Sequence, residues 1–359
     1  MNHRDTEKEA PRLKAQCPNP RHPWTAIGHR GLSIDRALGI EAWSLRLRRA
    51  PGAIALAATA LLAISSPAFA TKYAGDFEEF GTSARAIGMG GAVVSHVAGP
   101  SAIYYNPALA ARSPLTSALL LHSEDFSGLV QHNFLGVSFG SGLQSLGVGL
   151  LHNGIPGIKL TVLPDTTQPP GENNQPIVRE IVNANQLVCY LNYCRVLSTH
   201  LSLGGNAKVI YQSLGPGSCF GMGLDLGVVV TPADGIDVGL RVRNASTSPL
   251  FWTTGTRELV LPRPCVGLSK SFRIGRDALL LAAELEADPE TQDLYHNLGL
   301  EYSFREVLFG RLGIHRGNIT FGLGARYKRL YFDYGYSGGY APGSRELGSA
   351  QQISGGVEF

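Results

Sequence analysis

The chain has 359 residues, with 31 Lys and Arg against 28 Asp and Glu, a formal net charge of +3, 44 glycines and a mean hydropathy of +0.02. Ten basic and five acidic residues fall within residues 1–70, so residues 71–359 hold 21 basic against 23 acidic and a net charge of −2. That balance excludes nucleic-acid binding through a strongly basic face.

Residues 1–45 are polar and rich in Arg and Pro, and they read as an N-terminal extension or an overextended start. Within residues 46–70, Arg46, Arg48 and Arg49 precede an apolar run from Ala53 to Ile64 and then Ser65-Ser-Pro-Ala-Phe-Ala70. Basic residues, a short apolar core and an Ala-x-Ala ending predict a secretory signal cleaved after Ala70. The apolar run is shorter than the roughly 20 residues a membrane-spanning helix needs.

Segment 71–113 follows. It contains Gly88-Met-Gly-Gly91 and then Ile103-Tyr-Tyr-Asn-Pro-Ala108. A nucleotide-binding glycine loop needs a preceding strand and an acid about 20 residues later in a βαβ unit. Neither is evident. The small residues Gly88, Gly90 and Gly91, flanked by Arg85, instead predict a backbone packed closely inside something else. Asn106 and Pro107 predict a capped turn, with a short helical turn over 108–112. The segment is expected to be a partly helical plug.

From Thr116 onward the period is two, the mark of half-buried strands. Fourteen strands are expected near 116–122, 130–140, 144–153, 187–197, 200–211, 220–231, 235–244, 263–273, 277–287, 294–304, 307–316, 319–327, 329–337 and 350–359. Most reach the 9–11 residues that a tilted strand needs to cross a bilayer. Tight connections alternate with longer ones at 154–186, 212–219, 245–262, 288–293 and 338–349, as in outer-membrane barrels; the tight Gly317–Asn318 link is an exception. The Pro-rich 154–186 and the segment 245–262 read as mobile outer loops. Within the latter, Leu250-Phe251-Trp252 suits a lid, a partner contact or a fold over the rim. The fold expected is an all-β, transmembrane, antiparallel up-and-down barrel of about 14 strands over 114–359, with the plug in its lumen. A soluble sandwich or propeller would also alternate, but predicts no loop asymmetry and no terminal Phe359.

On the polar strand faces, Lys208, Asp225, Asp237, Arg241, Arg243, Glu301 and Arg326 are the lumen-facing candidates, with Arg273, Glu284, Glu286, Arg311 and Glu358. They read first as a ladder of paired charges filling a narrow barrel and second as a binding surface. A polar lumen argues against a wholly apolar ligand path. Tyr327, Tyr331, Tyr334, Tyr336 and Tyr340 suit an interfacial girdle. Residues 71–359 keep four cysteines in an oxidising compartment. Cys189 and Cys194, five apart, point to opposite strand faces; Cys189, Cys219 and Cys265 fall near outer strand ends and read either as a rim disulfide, Cys219–Cys265, or as free or buried thiols. The scattered histidines show no metal spacing, no nucleophile elbow or catalytic triad is present, and no cofactor or metal is expected.

Two stretches carry a family resemblance: Ala74-Gly-Asp-Phe-Glu-Glu-Phe-Gly81 through Ala84-Arg-Ala-Ile-Gly-Met-Gly-Gly91 to Tyr104-Tyr-Asn-Pro-Ala108, and Gly317 to Tyr327 with Phe332-Asp-Tyr-Gly-Tyr-Ser337 and Ile353 to Phe359. Here the chain resembles the PorV/PorQ family within the FadL-like outer-membrane transport superfamily. It departs at Val97-Ala-Gly-Pro100, where that family usually has an acidic pair, and at Ala108-Leu-Ala110, where Ala-Gly-Leu is common. The resemblance implies a fourteen-stranded barrel with an N-terminal segment in its lumen, placed in the outer membrane of a Gram-negative-type bacterium. The chain is expected to be a monomer surrounded by outer-membrane lipid and, lacking catalytic motifs, not an enzyme; the terminal Phe359 closing an alternating strand looks like the signal read by the barrel assembly machinery. Two functions follow from the resemblance: passage of small hydrophobic solutes gated by the plug, or binding of secreted protein cargo in type IX secretion. A purely structural barrel is the third reading.

Overall fold

A computed structural model describes residues 74–113, 115–126, 128–339 and 349–359. The expected extension, the signal peptide, Tyr340 and most of link 338–349 lie outside the described residues. Sixteen strands form one antiparallel sheet. They are β1 (Ser117–Asp125), β2 (Val130–Gly140), β3 (Gln144–Val162), β4 (Ile177–Ser198), β5 (Leu201–Leu214), β6 (Gly217–Ala233), β7 (Ile236–Arg243) and β8 (Ser248–Trp252), followed by β9 (Arg257–Val260), β10 (Arg263–Ile274), β11 (Asp277–Asp288), β12 (Asp293–Phe304), β13 (Leu308–His315), β14 (Asn318–Tyr327), β15 (Leu330–Ser337) and β16 (Ala350–Glu358).

Fourteen of them, β1–β7 and β10–β16, pair each with its successor. The barrel closes between first and last, with Ser117 opposite Glu358 and the Phe359 amide donating to the Thr116 carbonyl at 2.8 Å. Closure leaves no edge in the wall. The alternation explains the inversion of inside and outside. On β6, Phe220, Met222, Leu224 and Leu226 are exposed, whereas Asp225 between them is buried. The same rule holds around the circumference, giving an apolar outer surface and a polar interior. No helix among the described residues is long and apolar enough to cross a membrane. Phe321 stacks on Tyr336 with centroids 4.8 Å apart on the outer face.

Four expectations need correction. Segment 154–186 is mostly strand: β3 and β4 continue as a two-stranded ribbon from Ile155↔Ala184 to Val162↔Ile177. Its prolines misled, because Pro156 lies at a register shift between Ile155 and Ile158, where no ladder bond is needed. Segment 245–262 holds the β8–β9 hairpin, with Leu250 buried and Trp252 opposite Cys219. The short β7 leaves one edge of the far half of β6 open, and β8 pairs with part of it. Segment 212–219 shrinks to a tight turn at Gly215, whose φ is +57°. Tyr331 faces inward rather than joining a girdle, because Leu330, Phe332 and Tyr334 take the outward positions of β15 and Tyr331 lines an interior cavity.

The expected disulfide is also absent: all four cysteines among the described residues are free. Cys265 is opposite Arg241, which is opposite Gly227 on β6. Cys219 lies eight residues further along β6, about 26 Å at strand spacing, far beyond the reach of a disulfide. Cys189 is exposed and Cys194 buried, as alternation requires.

Candidate functional site: the plug and the lumen wall

Residues 74–113 lie within the barrel as a chain of short turns: 3-10 turns at Asp76–Glu78, Gly99–Ser101 and Pro107–Arg112, and two short helices, α1 (Ala84–Gly88) and α2 (Ala102–Tyr105). Their contacts run the length of the lumen. Gly75 lies near Val260 and Glu290 at the long-loop end, and Arg112 pairs with Asp237 at the short-turn end, with Nη1 and Nη2 each 2.7 Å from a carboxylate oxygen.

Of the glycines expected to pack, Gly88 and Gly90 do so against backbone and Gly91 against side chains. A Cβ on Gly88 would stand 2.8 Å from the Gly322 Cα, and one on Gly90 would stand 2.5 Å from the Leu298 carbonyl. Gly90 also has φ +64°, which an L side chain rarely adopts. Gly91 approaches His315. Asn106 caps the turn as expected: its Oδ1 accepts from the Ala108 amide at 3.1 Å and its Nδ2 donates to the Val94 carbonyl at 2.7 Å. Pro107 lies against Gly204 and Gly227. The wall supplies matching glycines that pattern reading had left without a role. Gly204, Gly239, Gly299, Gly313 and Gly335 each offer a bare backbone on which plug backbone rests, and Gly227 takes the Asn106 and Pro107 side chains. Their signal was visible as glycine on the polar face of successive strands.

Charge fixes the plug on one side. The Glu78 carboxylate accepts from Lys208 Nζ at 2.6 Å, the Tyr190 hydroxyl at 2.8 Å and Asn244 Nδ2 at 3.1 Å. Lys208 is also 2.9 Å from Asp225. The Glu78 carbonyl accepts from the Tyr104 hydroxyl and from Arg243 Nη1, whose guanidinium lies 4.4 Å above the Tyr104 ring. Arg241 reaches the Tyr105 carbonyl at 3.1 Å and Glu286 at 2.6 Å. Burial raises the Glu78 carboxyl, but Lys208 and Arg243 beside it prevail and bring it down to about 2. The sequence reading assigned no role to Glu78, Tyr104, Tyr190 or Asn244. Cys265, Glu284 and Glu286 offer ligand atoms within 4.8 Å of one another. Glu284, however, accepts from the Val93 and Val94 amides, and Glu286 is held by Arg241.

The opposite side is held more lightly. Arg85 Nε and Nη2 each donate to Glu301 at 2.8 Å, Arg311 donates to Glu301 at 2.6 Å and to Asp333 at 2.7 Å, and Arg326 donates to Glu358 at 2.9 Å. The Arg85 side chain keeps 28% exposure, against 0% for Lys208. A cavity of about 250 Å³ opens between plug residues 97–101 and the wall from β12 to β16, with Ser83 and Arg85 at its inner end. A second of about 50 Å³ lies toward the long-loop end, reached by Ile87 and Gly91 and lined by Arg241, Arg243 and His315. The helix α1 lies between them. Both ring nitrogens of His96 are buried without a partner. Burial, with Arg85 nearby, lowers that imidazole to about 3.

No family model and no curated protein matches the chain. Among solved structures, it is similar to the Ralstonia pickettii toluene transporter TbuX, with a TM-score of 0.52 and 11% identity over 79% of this chain and 100% of that one. It is also similar to the Pseudomonas putida toluene transporter TodX, with a TM-score of 0.50 and 13% identity over 77% and 97% of the two chains. At these identities the likeness is one of fold: this chain shares the closed antiparallel barrel of outer-membrane transporters.

Proposed function

We propose that the protein is a passive outer-membrane channel for small solutes, closed by its own N-terminal segment 71–113. Export would use the signal ending at Ala70, and the short-turn end would face the periplasm. The observation that carries this reading is a lumen filled by a non-wall segment with a cavity at each end. A structural barrel has no need of either cavity. The FadL-like resemblance points to hydrophobic solutes. The charged lining around Arg85, Arg311 and Arg326 shifts that reading toward solutes with a polar group, because an apolar molecule gains nothing from displacing water there. The test is solute entry into proteoliposomes with and without residues 71–113. Faster entry through the deleted form is expected, and unchanged entry through an intact barrel would sink the proposal.

One observation favours the second reading, cargo binding in type IX secretion. The β3–β4 ribbon leaves Ile177, Val178 and Ile181 exposed beyond the wall, and an isolated two-stranded ribbon is marginal in water. Capture of secreted proteins by the intact chain but not by one lacking 156–183 would support cargo binding over conduction.

A further inference from the structure

The larger cavity points to a kind of solute. Its wall combines an apolar patch, formed by Val97, Pro100, Phe309 and Tyr331, with ionised groups. Three guanidinium groups line it, and each already holds a carboxylate: Arg85 with Glu301, Arg311 with Glu301 and Asp333, and Arg326 with Glu358. A fourth carboxylate, Glu306, lies exposed on the β12–β13 turn at the cavity mouth, with no ion pair among the described residues. Within the cavity an anion therefore finds no unpaired cation among the lining residues and must compete with four carboxylates for three guanidinium groups. A cation finds Glu306 open to it and an aromatic and aliphatic patch behind.

The inner end of this cavity is α1. The helix touches the wall where the wall is bare: Gly88 lies on Gly322, and the Ala84 carbonyl lies over Gly335. Its other wall contacts are long, Ala84 N to Ser354 Oγ at 3.3 Å and Thr320 Oγ1 to the Gly88 carbonyl at 3.3 Å. The pair of short bonds from Arg85 to Glu301 is its one charged attachment. Apart from Ile87 Cγ2 against Gly335 and Arg311 Cβ beside Gly88, these contacts are backbone on backbone, so a shift of α1 has few side chains to displace.

We propose that the cavity between plug residues 97–101 and the β12–β16 wall is the solute chamber, that it admits small organic solutes bearing an ammonium group and rejects anions, and that α1 is its roof, bolted by Arg85. This rests on the channel reading above. Opening then needs a displacement of α1 past Gly322 and Gly335 toward the smaller cavity, while the Glu78 side of the plug stays in place.

The test uses the full mature chain in proteoliposomes and three probes of similar shape: choline, its neutral analogue 3,3-dimethylbutanol and the anion 3,3-dimethylbutyrate. Arg85→Gln leaves Glu301 still paired with Arg311, so no buried carboxylate is stranded. It is expected to raise choline entry about fivefold, the shift that follows loss of a partly exposed ion pair, with little gain for the anion. Adding Glu306→Lys should remove the preference for choline. Heat-modifiable gel migration confirms that each variant has closed its barrel. Equal gains for all three probes would overturn the proposed selectivity. No gain from Arg85→Gln, in a protein that conducts once 71–113 is removed, would overturn the α1 roof. No gain from either change would instead overturn the channel reading on which the inference stands.

Discussion

The two sides of the plug are built on different principles. On the β4–β7 side, Glu78 enters a closed cluster with Lys208, Asp225, Tyr190 and Asn244, whose charged members have almost no exposure. On the β12–β16 side, α1 rests on glycines and is held by Arg85, whose side chain still meets water beside a cavity. Burying charge is costly unless every partner is present, and breaking such a set is far more damaging than breaking an exposed pair. The contrast teaches that one short segment can be held by buried charge along one wall and by a single partly exposed pair along the other.

The anchor should show the largest effect. Lys208→Ala removes the one cation bonded to both Glu78 and Asp225 and leaves two buried carboxylates underpaired, which costs about 3–5 kcal/mol. The expected outcome is a plug that becomes sensitive to limited proteolysis and a barrel that admits solutes of any charge. If Lys208→Ala protected the plug as well as the native chain does, the anchor would have to be sought elsewhere. A smaller loss is expected at the glycine seats. Gly90→Ala combines φ +64° with a Cβ 2.5 Å from the Leu298 carbonyl, for about 1–3 kcal/mol. Gly275→Ala shares φ +64° but meets open space. The difference between the two in denaturant midpoint isolates the seat from the backbone term, and equal losses would show that the seat contributes nothing.

Much of this was legible in the chain, because period two is a local property. All fourteen wall strands lie where alternation put them, and the Asn106 cap and the following turn also match. What escaped was non-local. Glu78 and Glu79 are adjacent and alike in sequence, yet one enters the Lys208 cluster while the other pairs with Arg263 and Arg316. Only the three-dimensional path of the plug separates them. The β8–β9 hairpin was hidden because its cause is the shortness of β7, which leaves part of β6 unpaired. The expected Cys219–Cys265 bond failed for a related reason: distance along a barrel wall depends on register, which loop positions do not reveal. The wall glycines were visible as small residues, but their partners lie in a segment far away in the sequence.

The smallest effect expected is a dependence on pH, and it belongs to the lightly held side. His96 lies near both Arg85 and Arg112, and its imidazole is held at about 3 in the docked plug, against about 6.5 when free in water. A folded-state value below the free one means that the undocked form takes up the proton first. Docking is therefore strongest above about pH 6.5 and weakens as pH falls toward 3. Glu78, held at about 2, adds its own loss only below the ordinary carboxylate range near 4.3. Between pH 6.5 and 4.5 His96 contributes to the trend beside His132 and His315, whose buried rings bond the plug carbonyls of Gly81 and Gly90. Proteolysis of the plug, measured across that window with an acid-tolerant protease and corrected for enzyme activity on an unfolded substrate, should quicken as pH falls. His96→Gln, which cannot titrate, should make the profile shallower, and Lys208→Ala should raise the whole curve without changing its slope. An unchanged slope in His96→Gln would place the pH-sensitive group elsewhere and remove the link between protonation and the side of the plug that carries α1.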